Sequence, residues 1–186
     1  MMHSIMLLTE YIVSVLFMKE VPSVMFREMR RKKQLLPEKL SEEIMVNGIT
    51  GILGVTGDHG YPYTVPLNYV YHNGAIYFHC AKMGHKLDAI RNNNKVSFCV
   101  VEQDQVIPEA FTTYFRSVIA FGKAAEVTEK DEKLRVIRLF NQKYAPGRDE
   151  AGQMEVQREW DILCVLKIDV EHFTGKEAIE LVKSRT

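Results

Sequence analysis

Asn73-Gly74 is the pair that most limits how this chain can fold. Both residues tolerate the positive φ that a two-residue type I′ turn demands, and the runs on either side are rich in aromatic and β-branched residues. A two-residue loop also fixes register. His72 should lie opposite Ala75, Val70 opposite Tyr77, Asn68 opposite His79 and Pro66 opposite Ala81. That face mixes apolar residues with an amide and an imidazole. The other face, Val65, Leu67, Tyr69 and Tyr71 against Ile76, Phe78 and Cys80, is largely apolar.

The hairpin runs into Gly84-His85-Lys86-Leu87-Asp88-Ala89-Ile90, a short helix start with Leu87 and Ile90 at i, i+3. Helix N-termini favour acids because the macrodipole is positive there, yet Lys82, His85 and Lys86 precede the first acid, Asp88. Cations at that end are unfavourable unless an anion sits among them. The stretch therefore reads either as a phosphate seat, built from free backbone N–H groups and His85 and Lys86, or as a solvated basic loop.

Elsewhere the pattern predicts a helix over 37–45 closed at Asn47-Gly48, a strand over 49–56, a turn at 57–60 and a strand over 95–101. It predicts a loop over 104–109 and a long strand over 112–127 with Gly122 as a kink or bulge. A capping-box-like Thr128-Glu129-Lys130-Asp131 should open a helix whose buried stripe is Leu134, Ile137, Phe140 and Tyr144, ended by Pro146-Gly147. Residues 148–159 read as a polar loop or a loose helical turn, 160–170 as a last strand, and the remainder as a charged tail. Short strands with inserted helices and a long hairpin fit a small closed barrel better than a βαβ sheet.

With 186 residues the chain is one ordinary domain. Its formal net charge is zero, which gives no sign of nucleic-acid binding or of electrostatic attraction to a membrane. The run Arg27–Lys33 has no aromatic residue interleaved and reads as a solvated lead-in. Three cysteines, Cys80, Cys99 and Cys164, lie in strand-like runs without disulfide or zinc spacing, as expected of buried free thiols in a reducing cytoplasm. His59, His72 and His79 with Asp58 lack a metal-ligand spacing, and no Rossmann, P-loop or nucleophile-elbow motif is present. Residues 1–24 read as an extension outside the domain, with Met25-Phe26-Arg27 as a natural beginning. Its apolar stretch, Ile5–Met18, is interrupted by Glu10 and is too short for a confident membrane span.

Four segments in order, P-x-x-V-P-L-x-Y, I-Y-F-H-x-A with G-H-K, Tyr114–Val118 with Phe121-Gly122, and Phe173–Glu177, resemble the flavin-binding split-barrel superfamily related to pyridoxamine 5′-phosphate oxidase. The nearest branch is the 5-nitroimidazole-resistance (Nim-type) one, and the similarity spans about 25–176. The resemblance implies a mostly β split barrel with helical insertions over 25–186, working as a homodimer with FMN at the interface; FAD is not excluded. It implies flavin-dependent reduction of a small aromatic such as a 5-nitroimidazole, with NAD(P)H docking transiently. It places His79 beside the flavin and the substrate pocket. Cofactor contacts are expected from Val65, Pro66, Leu67, Asn68, His79, Cys80, Ala81, His85 and Lys86, with Arg116 and Ser117 reaching in from the neighbouring subunit. The bland reading stands beside each: a satisfied half-buried histidine, a structural amide, an edge-strand proline, an ion-paired arginine. No second set of basic residues for a phosphorylated vitamin B6 substrate is evident. A non-catalytic flavin carrier and a haem-binding protein are the other functions that this fold group implies.

Overall fold

The computed structural model describes residues 26–185, so the extension read over 1–24 lies outside the described residues. Seven antiparallel strands form one sheet: β1 (Thr50–Thr56), β2 (Pro62–Asn68), β3 (Val70–His72), β4 (Ala75–Ala81), β5 (Lys95–Ile107), β6 (Thr112–Glu126) and β7 (Leu163–Glu177). Their spatial order is β2-β1-β5-β6-β7-β4-β3. The two outermost strands are consecutive in the chain, with only Tyr69 between them. The sheet therefore rolls up, and the backbone itself carries the closure.

Alternation sorts the side chains. Leu53, Tyr69, Ile76, Phe78, Phe98, Val100, Val118, Leu166 and Ile168 fill the interior, each 1 % exposed or less. Helices α1 (Glu38–Asn47) and α2 (His85–Asn92) add Ile44, Met45, Leu87 and Ile90 to the same cluster. A second cluster lies on the outer face, where α3 (Lys130–Tyr144) sets Val136 and Phe140 against Val70, Ala75, Tyr77 and Val165. The apolar face of the hairpin is thus the barrel interior, and α3 covers the part of its mixed face that β3 and β4 carry.

The hairpin keeps the register set by Asn73-Gly74 for three pairs, His72–Ala75, Tyr71–Ile76 and Val70–Tyr77. There it departs from the expected ladder. Asn68 pairs with Thr50 and Pro66 with Ile52, while His79 pairs with Val165 and Ala81 with Leu163. Asn68 and His79 are not opposite one another. The cause lies 75 residues away. The Tyr144 hydroxyl accepts from the Tyr69 N–H at 3.0 Å and lies 2.7 Å from the Tyr69 carbonyl and 2.8 Å from that of Ile49. It thereby takes the hydrogen bonds that a strand partner would have made. The Lys143 ammonium adds bonds to the carbonyls of Gly48 (2.6 Å) and Tyr69 (3.1 Å), and the Tyr69 hydroxyl donates to Met45 (2.8 Å).

Burial pulls Lys143 down to about 8, against an ordinary lysine near 10.5. Both folded and unfolded states hold the proton below that value, so the cost of burying the charge is constant there. Between about pH 8 and 10 the unfolded chain binds more protons, so this group's contribution makes folding more favourable as pH rises. Discounted for partial exposure, the gain is roughly 1–2 kcal/mol. The urea midpoint of the wild type, minus that of Lys143→Met, should climb over this range. A flat difference would place the lysine in water.

Other elements depart from expectation. Residues 104–107 continue β5 rather than forming a loop, because β6 pairs with them through Ile107–Thr112. The segment over 148–159 is helix α4 (Asp149–Glu159) with no buried residue. The last strand reaches Glu177, and the tail forms α5 (Ile179–Arg185). α3 starts without a side-chain cap, and its buried positions are Val136 and Phe140, with Leu134 only half-buried. Gly122 does mark a register shift in β6, and a Cβ there would lie 2.2 Å from the Asp169 carbonyl. Among the described residues, no helix is long and apolar enough to cross a membrane.

Candidate functional site

At the bend around Tyr69 the two arms of the expected hairpin part, and the gap between their unpaired edges is the candidate cleft. β2 bonds to β1 alone, and β4 keeps its β3 partner only as far as Tyr77, so Pro62–Asn68 and Phe78–Ala81 diverge from the bend. Each presents a strand edge without a ladder partner among the described residues. Pro66 sits exposed on the β2 edge, with Val65 and Leu67 half-buried beside it. Asn68 donates to the Ile49 carbonyl at 3.1 Å, on the shoulder of the bend.

The end of β4 leads through Lys82 and Met83, both exposed, to α2. Gly84 precedes this helix at φ 135°, a conformation open to glycine and strained for other residues. The helix has no side-chain cap, and its first intrahelical bonds, from the N–H groups of Leu87 and Asp88, go to the Gly84 carbonyl. The amides of His85 and Lys86 therefore remain available at the positive end of the helix. His85 is already engaged: its ring stacks on Tyr63 at 4.1 Å and its Nε2 lies 3.6 Å from Asp58. Lys82 and Lys86 form no ion pair among the described residues. Unpaired strand edges, free helical amides and two unpaired lysines are donors suited to a planar group with a phosphate tail, so the residues fit a flavin.

His79 projects from the outer face of β4. It is exposed on one side and meets Phe140 edge-on at 4.9 Å on the other. Burial, then the Lys86 charge, holds its imidazole below the usual histidine range. The ring is therefore neutral at pH 7, with one N–H to donate. Beside it a cavity of about 610 Å³ runs between β4 and the α3–α4 pair, lined by Ala81, Ile137, Phe140, Val156 and Ile162 among others. Sequence reasoning missed this cavity because α4 carries no apolar stripe to announce a helix.

His79, Cys80, Ala81, His85 and Lys86 come together where β4 passes into α2, and Val65, Pro66 and Leu67 form the opposite edge. Arg116 and Ser117 do not join them within one subunit. Arg116 bonds to Glu177 at 3.1 Å and lines a different cavity with Asn47, Glu102 and Arg185. Ser117 pairs with Val101 and Lys176.

No curated protein matches the chain. Solved structures share its fold. A candidate 5-nitroimidazole antibiotic resistance protein from Bacteroides thetaiotaomicron is 23 % identical, with a TM-score of 0.63 over 77 % of this chain and 86 % of that one. A FAD-binding protein from Mesorhizobium loti is 24 % identical, with a TM-score of 0.56 over 78 % and 97 %. A flavocytochrome from Azotobacter vinelandii is 18 % identical, with a TM-score of 0.66 over 82 % and 72 %. Residues 38–177 match the family model described as pyridoxamine 5′-phosphate oxidase, three-quarters of the chain, and the protein belongs to that family.

Proposed function

We propose that this protein is a flavin-dependent oxidoreductase that binds FMN in the cleft and reduces small nitroaromatic compounds, 5-nitroimidazoles among them. The observation that carries the reading is the meeting of three features at His79: an open strand edge, an unpaired cationic helix start and an apolar cavity of aromatic size. The fold shared with a candidate nitroimidazole-resistance protein and with a FAD-binding protein supports it. The flavin, when bound, supplies electrons taken from a transient NAD(P)H donor. Lys86, Lys82 and the helical amides hold the phosphate, and the β2 edge around Val65–Leu67 orients the ring system. The cavity walls keep water from the substrate. Neutral His79 donates a hydrogen bond to the nitro oxygens and relays protons from solvent. Full reduction of the nitro group to the amine takes six electrons and six protons and releases two waters.

The working unit we propose is a homodimer in a reducing cytoplasm. Pro66, Ile52, Cys99 and Ile119 lie in one register row across β2, β1, β5 and β6. Ile52, Ile119 and neighbouring Val101 are 40–50 % exposed, an apolar sheet face for a second copy to cover. From that copy Arg116 and Ser117 would approach the flavin. Sedimentation at twice the chain mass is expected, and a monomer would remove this part of the reading.

The absorption spectrum of the purified protein, with chromatography of the released cofactor, tests the whole. Flavin bands, FMN on release and NADPH-driven loss of the nitro chromophore are expected. A Soret band would mean haem, and flavin without turnover a carrier. His79→Ala should retain flavin and lose nitro reduction by about a hundredfold or more. Undiminished turnover in that variant would take His79 out of the chemistry.

A further inference from the structure

Cys80 and Cys164 face each other directly across the β4–β7 ladder. Directly opposed residues of an antiparallel pair have Cα atoms about 4.5–5.5 Å apart, within the span of a disulfide. No disulfide joins the two in this structure. They are unequally placed. Cys164 is buried, and its thiol lies 3.5 Å from Glu126 Oε2. Cys80 is half-buried and lines the cavity beside His79, where a small molecule can reach it. Cys99 stands apart, between Ile52 and Ile119 on the other exposed face.

We propose that Cys80 and Cys164 form a redox-active dithiol that a hydroperoxide closes to a cross-strand disulfide. The reaction balances with hydrogen peroxide as oxidant. The Cys80 thiolate attacks one peroxide oxygen, the O–O bond breaks, and water leaves as Cys80 becomes a sulfenic acid. The Cys164 sulfur then displaces the sulfenic oxygen as a second water. Two thiols lose two electrons and two protons, and the peroxide gains both. Cys80 is the attacking sulfur because the oxidant reaches it through the cavity; burial pushes its thiol above the ordinary range, with Lys86 and Arg91 opposing that shift. Cys164, pushed up to about 12 by burial and then by Cys80 and Glu126, is the resolving partner and stays protonated until attack. Closure is therefore slow at neutral pH and accelerates as pH rises. The bond would tie β4 to β7 one residue from His79, at the flank of the cleft. This proposal does not depend on any bound flavin.

The test uses the full chain carrying Cys99→Ser, which leaves only the pair. Hydrogen peroxide at pH 8 should take two titratable thiols to none and lower the intact mass by two hydrogens. Peptides containing residues 80 and 164 should become cross-linked, and dithiothreitol should reverse it. Cys164→Ser should stop at a Cys80 sulfenic acid that dimedone captures. If Cys99→Ser does not fold, the wild type serves, falling from three thiols to one with Cys99 still free. Over-oxidation of Cys80 with Cys164 untouched, disulfide-linked dimers, or no loss of thiols would each overturn the proposal.

Discussion

Lys86→Glu should abolish most of the protein's affinity for FMN, by a factor of roughly a hundred or more. Lys86 stands in the first turn of α2, half-buried, beside amides with no helical acceptor and without a carboxylate partner among the described residues. A phosphate held there loses one attraction and gains one repulsion on charge reversal. Near a protein surface each such interaction at 4 Å is worth up to about 4 kcal/mol before screening. Even a heavily screened total of about 3 kcal/mol is more than a hundredfold in the dissociation constant. Quenching of FMN fluorescence on titration into the apoprotein measures it. His85→Ala should have a smaller effect, since that ring already serves Tyr63 and Asp58. An unaltered dissociation constant for Lys86→Glu, with native circular dichroism, would mean that the phosphate sits elsewhere.

Glu177→Ala should be among the costliest changes to stability, about 3 kcal/mol. Its side chain is 0 % exposed, with one oxygen 3.1 Å from Arg116 Nε and the other 2.7 Å from Arg185 Nη2. The carboxylate joins the end of β7 to β6 and to α5. Removing one member of a buried charged cluster leaves the others unpaired, which costs about 3–5 kcal/mol. The lower end applies because both guanidinium groups keep access to solvent. Thermal unfolding followed by circular dichroism should show a fall in the midpoint of several degrees, with Glu177→Gln in between. Arg116→Met should fall by a similar margin. If it instead keeps its stability and loses flavin affinity, the arginine serves the cofactor of a partner subunit rather than Glu177.

Local signals proved readable and distant ones did not. Asn73-Gly74 specified three cross-strand pairs, because a turn and its flanking residues decide them together. The fourth pair is lost to Tyr144, whose hydroxyl takes the Tyr69 backbone groups, and nothing near Tyr69 in sequence announces a partner 75 residues on. Asp104-Gln105 read as loop because such residues have little strand propensity, yet β6 pairs with them. Helix α4 read only as a loop or a loose helical turn, for want of an apolar face. At the candidate site, the grouping of His79 with His85 and Lys86 was legible, since all belong to one strand–helix passage. The position of Asn68 depended on the bend and was not.

Because the mouth of the barrel is held by a tyrosine and a lysine in the last turn of α3, and not by a ladder, its aperture is set by two side chains. Small changes in how that helix seats should widen or narrow the opening with the strands intact. Selection has there a means of adjusting which molecules enter, without touching a group that meets them.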